Sequence, residues 1–148
     1  MNETVQTPQH EIVVGIDGSP GSYAALKWAA TMAPALNASI TVMTAWEFPV
    51  FITAAGGGLL PGTWDPEADA NTVVNDAIAS VFAGTPGYVR PVVAQGHPAD
   101  VLIEASKHAW MLVVGGRGHG GFTGALLGSV STAVAHHAKC PVLIVPNE

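Results

Sequence analysis

Apolar positions along the chain alternate between two periods. Glu11 to Ile16 is short, apolar and β-branched and stops at Asp17, the pattern of a buried strand. Ser19 then stands where a helix cap accepts a hydrogen bond. Pro20 suits the first helical position, where its missing N–H costs nothing. Ala25, Ala29, Met32, Ala33 and Leu36 follow at helical spacing, and Asn37 ends the run. Ser39 to Trp46, rich in Ile, Val, Thr and Met, predicts a second strand. Between Glu47 and Glu67 the periodicity is lost. Gly56 to Gly58 and Pro49, Pro61 and Pro66 there predict a long loop, of the kind that serves as a lid or moving part. Helical spacing returns at Val74, Ile78, Val81 and Phe82, and Val89 to Gln95 predicts a third strand. Gly96-His97-Pro98 turns the chain into a short helix carrying Leu102 and Ile103. Trp110 to Gly115 is a continuous apolar strand, as expected when both faces are covered. After a glycine-rich stretch come a helix from Ser129 to about Ala138 and a fifth strand, Pro141 to Val145.

Strand and helix in steady alternation imply an α/β fold, a doubly wound five-stranded parallel sheet with helices on both faces. Residues 1–10 are expected to be a disordered tail and residues 11–148 one domain, a size that suits a single core. Hydrophobic residues at 49% against charged residues at 11% argue against disorder. A formal charge of −6 disfavours nucleic acid as a partner, because phosphate neutralisation needs clustered Lys and Arg. A single nucleotide is not excluded, since backbone N–H groups hold phosphate without cations. The lone Cys140 allows no intrachain disulfide, and no apolar run approaches the ~20 residues of a membrane span. Met1 to His10 lacks the pattern of a signal peptide, so a cytoplasmic location is expected.

In such sheets ligands bind beyond the carboxyl ends of the strands. Two of those ends are unlike ordinary turns: Gly15-Ile16-Asp17-Gly18-Ser19, and the run from Gly115 to Ser131. Seven of the seventeen glycines lie between positions 115 and 128, which is entropically unfavourable unless the backbone needs the freedom. A polyphosphate supplies that need: backbone amides converge on it where side chains are missing, and the following helix start adds its positive end. Common rival motifs fail. No lysine follows a glycine, so there is no Walker A loop, and no G-x-S-x-G elbow occurs. Gly116, Gly118 and Gly121 form a literal G-x-G-x-x-G, but it follows the fourth strand and lacks an acidic residue ~20 positions on.

The longer pattern is more specific. Gly115-x-x-Gly118, nine residues, then Gly128-Ser129 resembles the G-2x-G-9x-G-[S/T] signature of the ATP-binding universal stress proteins. The likeness spans nearly the whole chain, from Ile12-Val13-Val14-Gly15-Ile16-Asp17 through Gly96-His97-Pro98-Ala99 to Cys140-Pro141-Val142-Leu143-Ile144-Val145. It implies strand order 3-2-1-4-5 and an adenine nucleotide, ATP foremost, bound with Mg²⁺. By matching positions, Asp17 would sit at the adenosine end with Gly15 and Ile16 beside it. Ala45 would meet the adenine edge through its backbone, and Val114 and Gly115 would approach the ribose. Arg117, Gly118, Gly128, Ser129, Val130 and Ser131 would attend the phosphates. The resemblance also implies a homodimer through Pro141 to Val145.

Other residues have plainer readings. His136 and His137 are adjacent and point to different helix faces, so they cannot form the i, i+4 pair that zinc prefers. Cys140 reads as a buried, inert thiol, and Trp46, Trp64 and Trp110 as core or lid aromatics. No general base stands out, which favours a nucleotide-dependent regulatory protein over an enzyme. The alternatives are a slow ATPase or autophosphorylating enzyme, with Ser129 or Ser131 as acceptor, and a ligand-free dimerisation module.

Overall fold

A computed structural model describes residues 10–48, 64–117 and 127–146. In strand β1 (His10–Gly15) Ile12, Val13 and Val14 are out of solvent, as an apolar run must be when helices cover both faces. The chain turns at Gly18, whose φ of 82° suits a residue without Cβ. Helix α1 (Pro20–Leu36) then starts as predicted: Ser19 Oγ accepts the Ser22 N–H at 3.2 Å, with Pro20 in the first turn. It ends as predicted too, with Asn37 in left-handed backbone. Next come β2 (Ala38–Trp46), α2 (Pro66–Val81), β3 (Val89–Gln95), α3 (Pro98–Ser106), β4 (Met111–Gly115), α4 (Ser129–His137) and β5 (Val142–Val145).

The strands form a parallel sheet in the order β3-β2-β1-β4-β5. Because alternate residues of a strand face opposite sides, β1 feeds two cores. Ile12 and Val14 join Leu26, Ala29, Ile40, Val42, Val74 and Ile78 in the larger one, which takes its helical residues from α1 and α2. Val13 joins Leu102, Leu112, Val114 and Val134 in the smaller one, with α3 and α4. Each fully buried Leu, Ile or Val contributes about 1.5–3 kcal/mol relative to exposure.

Some expectations shift. β1 begins at His10, which the composition of the tail had claimed; pairing with Ala38 extends the strand. The loop expected over Glu47 to Glu67 ends earlier, because Asp65 accepts the Ala68 N–H and Pro66 opens α2 as a first-turn proline. Residues 49–63, with the moving-part reading, lie outside the described residues. Trp110 is neither core nor lid: it is 40% exposed and stacks on His10 with ring centroids 4.6 Å apart. Pro141 stays outside β5, though its carbonyl accepts the Leu112 N–H at 2.9 Å.

One contact sets how α1 meets the sheet. A Cβ placed on Gly115 would lie 2.6 Å from the Gly21 carbonyl carbon and 2.7 Å from its oxygen, both backbone atoms that cannot swing aside. Gly115→Ala therefore forces α1 off the end of β4, and it is expected to lower stability by about 1–3 kcal/mol, the usual cost of overpacking. Gly87→Ala, with nothing within 4 Å of its Cβ, is the control. Urea denaturation of both variants checks this, and equal stabilities would contradict the contact.

Candidate functional site

β1 leads to β2 on one side of the sheet, while β4 and β5 extend it on the other, so the strand order reverses between β1 and β4. A crevice at the carboxyl ends of those two strands is the expected ligand position of such a fold. The structure brings three predicted segments to this edge: Gly15 to Asp17 at the end of β1, Val114 to Arg117 at the end of β4, and Gly128 to Ser131 at the start of α4. Ala45 lies one strand away on β2, half-buried and paired with Ala94. Gly118 lies outside the described residues.

On the β1 side, Ile16 ties two strand ends together. Its N–H donates to the Met43 carbonyl at 2.9 Å, and its carbonyl accepts the buried Thr44 hydroxyl at 3.1 Å. Asp17 is exposed, and its Oδ1 accepts the Ser19 N–H at 2.9 Å, a local turn that orients the carboxylate. Ser19, not Asp17, caps α1. A Cβ on Gly15 would meet Leu102 Cδ1 at 2.9 Å, so the missing side chain lets α3 lie close under this end of β1.

On the β4 side, Val114 is buried in the smaller core and Gly115 meets α1. Gly116 is a junction: its N–H donates to the Val145 carbonyl at 2.8 Å, and its own carbonyl accepts the Gly128 N–H at 2.7 Å. Gly128, before α4, is thus bonded straight to the end of β4 through this peptide. α4 begins with Gly128 as its N-cap and no side-chain capping bond. The other three described helices each have one, from Ser19, Asp65 and His97. The N–H groups of Ser129, Val130 and Ser131 fall in the first turn, where the helix itself offers no acceptor. Those amides carry the positive end of the helix dipole, and an anion is the natural partner.

Side chains add little positive charge here. Of the five Lys and Arg residues, Arg90 pairs with Glu11 at 3.6 Å and Lys107 with Glu104 at 2.7 Å. The hydrogen bond from Lys107, reinforced by its charge, holds the exposed Glu104 carboxyl below the usual carboxylate range. Arg117, half-buried directly after Gly116, is the cation in the predicted phosphate segment. Ser129 is exposed, but the Ser131 hydroxyl is buried and lies 2.8 Å from the Gly116 carbonyl. A hydroxyl engaged in that bond leaves the backbone N–H as the part of Ser131 in the helix's first turn.

Sequence reasoning missed three participants. Gly116 was read only as part of a literal glycine motif, and Gly21 was not singled out. His97 is placed by the sequence in the turn before α3, but not as its cap; its Nδ1 accepts the Ala99 N–H at 3.3 Å and caps α3. The position before Pro98 was the available signal for that cap.

Comparison with known proteins bears on the same segments. The family model described as "Universal stress protein family" matches residues 9–146. A universal stress protein of Mycobacterium tuberculosis is 36% identical over 143 residues, covering 93% of this chain and 48% of that protein. The chain thus spans about half the length of the curated relatives it matches. A crystal structure of a universal stress protein in complex with cAMP is 33% identical, with a TM-score of 0.58, covering 92% of this chain and 95% of that one. A universal stress protein of Lactobacillus plantarum has a TM-score of 0.74 at 19% identity, covering 95% of this chain and 99% of that one, a likeness of fold.

Cys140 is the remaining nucleophile to weigh. It precedes β5 and so lies at the amino ends of the strands, away from the crevice. Burial pushes its thiol above the ordinary range, which leaves less thiolate at neutral pH. Iodoacetamide at about pH 8 should label it several-fold more slowly than a free cysteine peptide, with unfolding in urea removing the difference. The thiol expected to be buried is only partly covered, and equal or faster labelling of the folded protein would contradict the slowing.

Proposed function

The chain belongs to the universal stress protein family, and from that premise we propose that it binds an adenine nucleotide, ATP foremost, in the crevice between the ends of β1 and β4. The observation that carries the proposal is the start of α4, where amides without a side-chain cap stand beside the Gly116 junction. In this reading the Ala45 backbone meets the adenine edge and Asp17, with Gly15 and Ile16 behind it, sits at the adenosine end. Val114 and Gly115 flank the ribose. Arg117, Gly118, Gly128, Ser129 and Val130 hold the phosphates, mostly through main-chain amides that need no cation cluster.

Mg²⁺ fits this arrangement as a passenger of the nucleotide. Among the described residues no group of three His, Cys, Asp or Glu side chains converges on one point. Mg²⁺ on a triphosphate keeps several waters and needs one or two carboxylates at most. Asp17, two residues past the end of β1, is the carboxylate in this reading of the site. The bound cation would neutralise part of the phosphate charge.

The reading is of a regulatory protein whose nucleotide biases a conformation or an assembly. Its surface for a second copy is the β5 edge, where Val142, Leu143 and Ile144 are only partly covered and one strand side is unpaired within the described sheet. No described helix is long and apolar enough to cross a membrane, and a cytoplasmic location, where ATP is abundant, belongs to the same reading.

The relative bound to cAMP favours a second version of the same site, in which a cyclic nucleotide is the preferred ligand. Calorimetric titration with ATP and Mg²⁺, ATP alone, and cAMP ranks them. Ser129→Asp is the decisive variant. A carboxylate in the first turn of α4 should raise stability by about 0.3–1 kcal/mol. It should also weaken ATP binding roughly a hundredfold, because like charges brought together cost several kcal/mol. ATP binding that survives Ser129→Asp would remove the phosphates from the start of α4, and wild-type protein that takes up no adenine nucleotide would end the proposal.

A further inference from the structure

Ser131 is buried to 3% exposure, yet it sits in the third position of α4, in the turn that carries the amides. Its Oγ lies 2.8 Å from the Gly116 carbonyl oxygen and 3.1 Å from the Gly128 carbonyl oxygen. A serine hydroxyl has one proton, so these two acceptors share or compete for it. The Gly116 carbonyl also accepts the Gly128 N–H at 2.7 Å. One of its lone pairs thus takes the amide that precedes α4, and the Ser131 hydroxyl, at the shorter of its two distances, lies against the other.

The other half of the same residue is tied as well, through the Gly116 N–H to the Val145 carbonyl at 2.8 Å. A Cβ on Gly116 would meet Val145 O at 3.5 Å and Ile144 Cγ2 at 3.7 Å, ordinary contacts. The polar groups of this residue, and not its missing side chain, make the connection. Three elements meet there: the end of β5, the start of the glycine-rich segment, and the first turn of α4.

We infer that Ser131 is a positioning residue for phosphate, acting through the Gly116 carbonyl and not by touching the nucleotide. Its hydroxyl locks the angle between α4 and the end of β4, so that the amides of Ser129 and Val130 keep one direction before any ligand arrives. Preorganisation of this kind raises affinity because the ordering is complete in the free protein. The neighbouring Ser129 is exposed and makes no capping bond, so the two serines of the motif divide the work. One faces the ligand side and the other faces the frame.

The inference rests on reading the crevice as a nucleotide site, and its test separates the two. Ser131→Ala and Ser131→Thr are compared with wild type by titration with ATP and Mg²⁺ and with cAMP. Amide hydrogen exchange at Gly128 is followed in the nucleotide-free proteins. Ser131→Ala should lose roughly tenfold in affinity for whichever nucleotide binds, the scale of one buried hydrogen bond. Exchange at Gly128 should quicken in that variant without nucleotide, and Ser131→Thr should restore both readouts. An affinity loss with Gly128 exchange unchanged would mean that Ser131 touches phosphate directly, and it would overturn the inference. Unchanged affinity in Ser131→Ala would overturn it as well. Wild-type protein that binds neither nucleotide sinks the reading of the site, a result distinct from both. Should Ser131→Ala fail to fold, Ser131→Cys, whose thiol is a weak donor of similar size, decides by the same readouts.

Discussion

Two adjacent glycines at the end of β4 carry opposite kinds of constraint. Gly115 works by what it lacks: no Cβ stands between β4 and the Gly21 backbone, so α1 rests directly on the sheet. Gly116 works by what it has, a peptide N–H and carbonyl that join β5, the glycine-rich segment and α4. Together the two glycines fix how α1 and α4 meet the end of β4. If α1 lifted away or α4 tilted, the proposed site at the ends of β1 and β4 would lose its geometry.

Under the proposed function, this arrangement lets an acidic protein with few cations suit an anionic ligand. Net charge acts at long range and is screened over about 8–10 Å in physiological salt. Fixed amides act at contact distance and need no reorganisation when charge arrives. The chain therefore keeps its surface acidic, with two of its five Lys and Arg residues in pairs with glutamates. A helix start and one arginine remain for the phosphate segment. In the proposed reading, a cradle of dipoles would stabilise a bound phosphate chain in its ground state.

Much of the fold was legible in the chain, and the reasons are local. Ser19-Pro20 and Asn37 bracket α1 because capping and left-handed backbone are properties of single residues. β3 runs from Val89 to Gln95 as read, since glycine and proline punctuate it. Pro66 misled because a proline marks loops and first helical turns alike, and Asp65 as its cap decides between them. Trp110 misled because aromatic bulk suggests a core, whereas its place before β4 leaves it stacked on His10 at the surface.

The sequence by itself determined the alternation of strand and helix, the two unusual strand ends and the candidate residues. Each is written in spacing along one short segment, where backbone preference and apolar period act. Only the tertiary structure decided which backbone atoms touch across segments. That Gly115 is needed for Gly21, ninety-four positions earlier in the numbering, and that Ser131 turns to the Gly116 carbonyl instead of the crevice, depend on parallel pairing that sets β4 beside β1 and β5. Contacts between residues far apart in the chain leave no period and no punctuation in it, so they become visible only when the sheet has brought them together.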